Sequence, residues 1–243
     1  MPEHFTKTYE HPGHAQIAAR HRHWLTALGA PTPALHRVTA HRLQFEQLTG
    51  HHARPQDLRS VAHLLGRLNA TAYLRELRNA HLEKEFTTDG DLVLPGFTAP
   101  RLARLRRHHN EGLITPRQRA EAAELITQAA EWPATFYKDS NVRNVLITGS
   151  GPILVDFDDL TLAPFGYDLA KLLVSAAMTH GPLPRTTYTE TLAAYIDGVE
   201  SAGGPADAYT QGDLAHWLEI QNLFTSPYLG HNGYRHPWRA PRL

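Results

Sequence analysis

The stretch that most constrains this chain is Phe136-Tyr137-Lys138-Asp139-Ser140-Asn141-Val142-Arg143-Asn144-Val145-Leu146-Ile147, with Asp156-Phe157-Asp158 beginning twelve residues beyond Asn144. An apolar run, a turn at Thr148-Gly149-Ser150-Gly151 and a second apolar run Pro152-Ile153-Leu154-Val155 read as a β-hairpin. The hairpin brings Asp139, Asn144 and Asp156 to one edge. Hard oxygen ligands suit Mg²⁺, which keeps several waters and needs only one or two carboxylates from protein. The Asp left over is free to orient a hydroxyl for attack on a phosphoryl group. The spacing points to phosphoryl transfer. The plain alternative is a polar turn, since Asn and Asp are common turn formers.

Asp139-x-x-x-x-Asn144 followed by Val155-Asp156-Phe157-Asp158 resembles the catalytic loop and metal motif of the aminoglycoside phosphotransferase and choline kinase branch of the protein-kinase-like fold. Gly166-Tyr167-Asp168-Leu169-Ala170 is similar to a further run of that family, whose Asp opens a helix and braces the catalytic loop. The resemblance implies Asp139 as catalytic base, Asn144 and Asp156 as metal ligands, and Asp158 and Asp168 as supporting groups. Tyr137 stands where the family usually has His, a position of mainly structural packing, and Lys138 stands where a small residue is common. Lys138 either faces the transferred phosphate or points to solvent.

The order of elements fits an α+β, two-lobed kinase-like fold whose first two strands are missing. Residues 1–50 would form a reduced N-terminal β lobe and hinge. Residues 51–243 would form a mainly helical C-terminal lobe carrying the catalytic loop and the metal-binding hairpin. Phe5-Thr6-Lys7-Thr8-Tyr9 alternates as a strand, and by the resemblance Lys7 contacts the α and β phosphates of ATP. By the same resemblance Glu46 and Leu48 would fall in the hinge whose backbone reads the adenine edge. The helix after Lys7 places His21 where the family carries an acid to pair with that lysine. No Gly-rich phosphate lid fits in the six residues before Lys7.

Further along, Pro55 opens a long amphipathic helix, residues 86–100 read as a loop or inserted hairpin, and Pro116 opens a helix leading to the catalytic loop. Helices are expected near 168–179, 185–200 and 211–224.

Composition narrows the function classes. The formal charge is balanced, with 24 Lys+Arg against 24 Asp+Glu, so neither nucleic acid nor an anionic membrane is indicated as partner. No cysteine is present, which removes disulfides, thiolate metal sites and thiol nucleophiles. The start lacks a signal-peptide pattern and no apolar run approaches the roughly 20 residues of a membrane span. A soluble, cytoplasmic protein is expected. The seventeen histidines include adjacent and alternate pairs that do not share a helical face, and no His-Glu-x-x-His occurs. They read as compositional.

Two regions bear on the acceptor. Glu190, Asp197, Glu200, Asp207, Asp213 and Glu219 fall on the late helices, where an acidic wall would receive a cationic small molecule such as an amino sugar or an antibiotic. A solvated helix face is the rival reading. The tail 226–243 is aromatic and basic, and could fold over the cleft and present Arg235 or Arg239. Together with the resemblance, these features lead to ATP- and Mg²⁺-dependent transfer of a γ-phosphate to a hydroxyl of a small molecule. A catalytically impaired, pseudokinase-like binding module is the alternative.

Overall fold

The computed structural model describes residues 4–205, 207 and 209–240. It opens with an antiparallel sheet of three strands, β1 (His4–Thr8), β2 (Leu35–Val38) and β3 (Arg42–Glu46), ordered β1-β3-β2. Lys7 pairs with Leu43 and Phe5 with Phe45, so both share the inward face of those two buried side chains. Thr6 and Thr8 lie opposite Gln44 and Arg42 on the outer, polar face. Helix α1 (His14–Ala27) joins β1 to β2 and buries Ala15, Ala18, His21, Trp24 and Leu25. Ile17, on the apolar side by its sequence position, is 49% exposed.

The chain crosses by β4 (His51–His52) into α2 (Leu58–Arg75), the long helix expected from Pro55. A small hairpin, β5 (Phe86–Thr87) with β6 (Val93–Leu94), lies in the segment anticipated as a loop or hairpin. Helix α3 (Thr98–Asn110) follows, then α4 (Pro116–Gln128), which begins on a capping box between Thr115 and Gln118. Strand β7 (Ala134–Tyr137) leads into the loop of Asp139, and β8 (Val145–Thr148) with β9 (Gly151–Leu154) forms the expected hairpin, pairing Thr148 with Gly151. Strand β10 (Thr161–Pro164) returns antiparallel to β7. Three helices complete the body: α5 (Tyr167–His180), α6 (Arg185–Ser201) and α7 (Gln211–Thr225).

Helix α5 is the axis of this body, with every residue from Tyr167 to Met178 buried. A helix surrounded on all sides holds its polar groups in fixed positions, and α5 carries Asp168, Lys171 and Ser175 beneath the loop of Asp139. Around it α2 and α6 touch backbone to backbone. A Cβ added at Gly66 would lie 2.1 Å from the Tyr195 carbonyl oxygen, and one at Gly198 would lie 2.2 Å from that of His63. Trp217 of α7 packs edge-on against Phe97, Trp132 and Tyr167, closing the far side. Among the described residues, no helix is long and apolar enough to cross a membrane.

Candidate active site

The loop after β7 turns at Asp139, whose φ of 52° lies in the left-handed region, and the chain leaving β9 does the same at Asp156, φ 65°. Non-glycine residues hold that conformation when the surroundings impose it, and Asp is among the few that tolerate it. The imposing bonds are local. Asn141 N–H donates to the Asp139 carbonyl at 2.6 Å, the Arg143 amide donates to Asn141 Oδ1 at 2.8 Å, and Asn144 N–H donates to the Asn141 carbonyl at 2.8 Å. Asn144 Nδ2 then donates to the Asp139 carbonyl at 2.9 Å and lies 3.4 Å from Asp139 Oδ2. Across the hairpin, Val155 N–H donates to the Asn144 carbonyl at 3.0 Å, tying the loop to the residue before Asp156.

The Asp139 carboxylate faces a cleft of about 400 Å³. Tyr137 donates its hydroxyl to Oδ1 at 2.8 Å, and Lys171 Nζ stands 3.5 Å from the same oxygen. Burial alone would raise the Asp139 pKa, but the Lys171 ammonium and the Tyr137 hydroxyl outweigh it and hold the group below its ordinary range. Asp139 is therefore ionised and oriented. Tyr137, where the family usually has His, is a hydrogen-bond donor to this carboxylate as well as a packed ring. Lys171 itself is shifted down by burial, against the pull of Asp139. Its place in an apolar helix, three residues after Asp168, was the one sequence signal that could have marked it.

Lys7 reaches across from the sheet to both carboxylates of the Asp-Phe-Asp run, 2.6 Å from Asp156 Oδ1 and 2.6 Å from Asp158 Oδ2. Tyr9 adds a hydroxyl to Asp158 Oδ1 at 2.9 Å. Burial would lower the Lys7 pKa, yet the two carboxylates raise it on balance. His21, at the position of the absent acid, bonds the Phe157 carbonyl through Nδ1 at 2.7 Å. Burial lowers its pKa, favouring the neutral ring that donates to that carbonyl. The sheet and its helix thus grip the Asp156-Phe157-Asp158 run directly, through a lysine, a tyrosine and a histidine.

Several expectations need correction. Lys138 neither points to solvent nor lines the open cleft. It is 1% exposed, donates to the Val155 carbonyl at 2.8 Å beside the Phe157 ring, and has its pKa lowered by burial to about 8. The Asp168 carboxyl accepts from Leu169 N–H at 2.9 Å, and its Oδ2 has no hydrogen-bond partner among the described residues. Among the described residues it makes no hydrogen bond to the loop 139–144; Ser175, two turns on, does, accepting from Val142 N–H at 3.1 Å. Burial lifts the Asp168 pKa to about 7, with the Leu169 amide pulling the other way. Glu46 accepts from Ala34 N–H at 2.9 Å and donates its own amide back to the Ala34 carbonyl. Leu48 is half-buried beside it, and among the described residues the Leu48 backbone makes no hydrogen bond.

The acidic wall is not at the cleft. Glu190 and Asp197 lie beside Arg59 and His63 of α2, with Asp197 3.2 Å from His63. Asp213 caps α7 by accepting from Thr210 at 2.6 Å, and Glu219 borders a separate groove between α4 and α7. Asp207 is exposed in a turn, and Glu200 sits exposed near the end of α6. What lines the cleft is Arg101 and Arg104 of α3, Arg143 of the loop, Lys171, and the tail residues Tyr228 and Tyr234. The tail does fold over the cleft, but with aromatic rings. Arg235 enters the fold through its amide, bonded to the Met178 carbonyl at 2.8 Å, and Arg239 is exposed. Asp159 and Thr161 complete the lining. The pKa of Asp159 is raised by burial and by the neighbouring charges of Asp139, Asp158 and Asp156.

Two arms of the site present hard oxygen. Among the described residues Asn144 Oδ1 makes no hydrogen bond, since the amide nitrogen makes the loop bonds, and the partly exposed Asp156 has a second carboxylate oxygen beyond the one Lys7 holds. This donor set fits Mg²⁺ completed by phosphate and water. Among the described residues no three His, Cys, Asp or Glu side chains converge as a metal cage.

A family described as "phosphotransferase enzyme family" matches residues 7–208, a span that includes Lys7, Asp139, Asn144, Asp156 and Asp168. The chain belongs to that family. Among solved structures, an amicoumacin kinase in complex with AMP-PNP, Ca²⁺ and Ami aligns with TM-score 0.67 at 12% identity, covering 91% of this chain and 72% of that one. An aminoglycoside-3'-phosphotransferase of type VIII aligns at 0.56 and 19% identity, covering 92% and 85%. A putative fructosamine-3-kinase from Thermobifida fusca aligns at 0.60 and 18%, covering 96% and 81%. At these identities the likeness is one of fold, and it agrees with the kinase-like α+β architecture. No curated protein matches at a significant level.

Proposed function

We propose that this phosphotransferase moves the γ-phosphate of Mg²⁺-bound ATP to a hydroxyl of a small molecule held in the cleft beside Asp139. The observation that carries the reading is the Asp139 carboxylate, kept ionised by Tyr137 and Lys171 at the mouth of that cleft, with the Asn144 side chain 3.4 Å from it and Asp156 on the adjoining strand end.

Asp139 aligns the acceptor oxygen by taking its hydrogen bond, and receives the proton as the bond to phosphorus forms and the bond to the ADP oxygen breaks. A carboxylate with a lowered pKa is a weak base, so its service is orientation and late proton capture, which a loose phosphoryl transition state requires. Asn144 and Asp156 would hold Mg²⁺, whose charge would offset that of the nucleotide phosphates. Lys7, carried by the sheet, would exchange the two carboxylates for nucleotide phosphates. The free backbone at Leu48 suits the edge of a base. In this reading residues 1–50 act as the nucleotide-side lobe and 51–243 as the acceptor-side lobe, acting together inside a cell where ATP is present. Most of the rate would come from positioning and electrostatics.

A pseudokinase-like module is the second reading, favoured by the double hold of Lys7 on Asp156 and Asp158. One experiment separates the two: ADP release by purified protein against a panel of hydroxylated small molecules, with and without Mg²⁺. Acceptor-dependent, Mg²⁺-dependent ADP release is expected. Nucleotide binding with no release for any acceptor would favour the binding module.

A further inference from the structure

The acceptor cleft is built for an anion. Three of its guanidiniums, on Arg101, Arg104 and Arg143, are held in place by rings and neutral oxygens rather than by carboxylates. Arg101 lies 4.9 to 5.5 Å from the rings of Phe97, Tyr137 and Tyr167 and donates to Thr161 Oγ1 at 2.8 Å. Arg104 lies 4.8 Å from the Phe224 ring and donates to the Phe224 carbonyl at 2.6 Å. Arg143 lies 4.7 Å from the Tyr234 ring. Among the described residues the one arginine ion pair is the exposed Arg117–Glu121, far from this cleft in sequence and setting.

Two nitrogens sharpen the point. Arg104 Nε and Arg143 Nη1 are buried and have no hydrogen-bond partner among the described residues. A buried donor on a charged group is costly when unpaired, so the protein itself leaves these two guanidiniums incompletely compensated. The charge count agrees. Lys171 is matched by Asp139, which leaves three guanidiniums against Asp159 alone. Stacking on rings keeps each fork rigid, and a rigid planar fork suits a carboxylate or phosphate, which accepts two parallel hydrogen bonds.

We infer that the acceptor is a small hydroxylated acid, whose carboxylate or phosphate is held by Arg104 and Arg143 while its hydroxyl faces Asp139. This rests on the phosphotransferase reading of the same site. It reverses the cationic acceptor that the acidic late helices suggested. Arg101, bonded to Thr161 and stacked among three rings, holds the wall in place.

The test uses one sugar frame with four charges: glucose, glucosamine, glucuronate and glucose 6-phosphate, titrated calorimetrically into the full chain with Mg²⁺ and AMP-PNP present. Glucuronate or glucose 6-phosphate should bind more tightly than glucose, with affinity falling as salt rises; glucosamine should bind no better than glucose. Which acid binds more tightly distinguishes a carboxylate from a phosphate partner. Arg104→Gln and Arg143→Gln should each weaken the preferred acid by roughly 10- to 100-fold, a larger factor than either costs glucose. Arg143→Lys, which keeps the charge and loses the fork, should fall between. A preference for glucosamine, acids no tighter than glucose, or glutamine variants that weaken AMP-PNP instead of the acid would each overturn the inference. ADP release run alongside keeps the two readings apart. Arginine-dependent acid binding without phosphoryl transfer to any acceptor would sink the kinase reading alone, whereas transfer to amino sugars only would sink the anion site alone.

Discussion

The three-stranded sheet at residues 4–46 and the helical body hold themselves together by different means. The body is locked by shape: α5 is buried all round, and α2 meets α6 through glycines where no side chain fits. The sheet is thin and largely exposed, and β1 buries none of its five residues. Its ties to the body include Lys7 to two carboxylates, Tyr9 to Asp158, His21 to the Phe157 carbonyl, Trp24 Nε1 to Glu76, the Leu154 amide to the Pro31 carbonyl, and the contacts of Phe45 with Phe157 and Trp24 with Phe136. Four of these converge on the Asp156–Asp158 segment. A sheet whose first strand is held at that segment can adjust when those residues change partners. The geometry of the body, in contrast, must stay fixed for Asp139 to do its work.

The largest expected effect lies wholly in the body. Asp139→Asn keeps the side-chain shape and tolerates the left-handed backbone, but cannot take the proton. Turnover with a confirmed acceptor should fall by about 10²- to 10⁴-fold, while Mg²⁺-nucleotide affinity and thermal stability stay near those of the parent. Steady-state kinetics beside calorimetry would show it. Near-parental turnover would remove Asp139 from its role as base.

Gly66→Ala probes the lock itself. Its Cβ would stand 2.1 Å from a backbone oxygen of α6, so one helix must move. A loss of about 1–3 kcal/mol or more is expected in urea unfolding, read as a lower midpoint. If the substitution proves neutral, α2 and α6 do not touch as described, and the contrast between a rigid body and a thinly held sheet weakens.

How far the sequence carried the argument depended on the kind of signal. Motifs bounded by turns were legible: the β8–β9 hairpin was placed from its Gly-containing turn and paired apolar runs, and the late helices fell close to their expected ranges. Helix α3 was missed because Ala-Pro-Arg-Leu-Ala-Arg-Leu-Arg-Arg-His-His is basic almost all round and offers no wide apolar stripe. With it went Arg101 and Arg104, which define the cleft. Strand β10 is only four residues long and ends in Pro164, so nothing local distinguishes it from a loop. The acidic helices misled for a simpler reason. Composition reports which charges a helix carries, whereas only packing reports which way they face. Lys171 and His21 were visible as residues, but their partners are 32 and 136 positions away and belong to tertiary structure.

A third prediction concerns the buried floor. The Asp168 carboxyl titrates near 7 in the folded protein against an ordinary value of 3.8. Its folded pKa is raised, so the stability it contributes is fully present below about pH 4 and is lost as pH climbs through about 7. The slope is up to roughly 1 kcal/mol per pH unit within that window. Asp168→Asn removes the titration. The variant should therefore gain on the parent as pH rises from 4.5 to 7.5, followed by denaturation midpoints at several pH values. Parallel curves would mean that the carboxyl is ionised throughout and has found a partner.

The smallest expected effect on stability falls on the sheet's most conspicuous tie. Lys7→Met removes an ammonium that touches two carboxylates, but all three side chains are partly exposed, Lys7 at 27%, Asp156 at 42% and Asp158 at 43%. Pairs of that exposure are worth about 0–1 kcal/mol each, because water screens them and holding two long side chains together costs entropy. Removing the lysine also leaves two like charges side by side, which Mg²⁺ would relieve. The global unfolding midpoint should thus shift little. Mg²⁺-nucleotide affinity should still fall, by about tenfold, equivalent to roughly 1.4 kcal/mol for one lost charged contact to phosphate. Limited proteolysis of residues 4–46 should become faster in the absence of nucleotide, since the tie of β1 to the Asp156–Asp158 segment has gone. A large drop in global stability would show that the sheet and the body are a single cooperative unit, and that Lys7 is structural cement rather than a hand lent to the nucleotide.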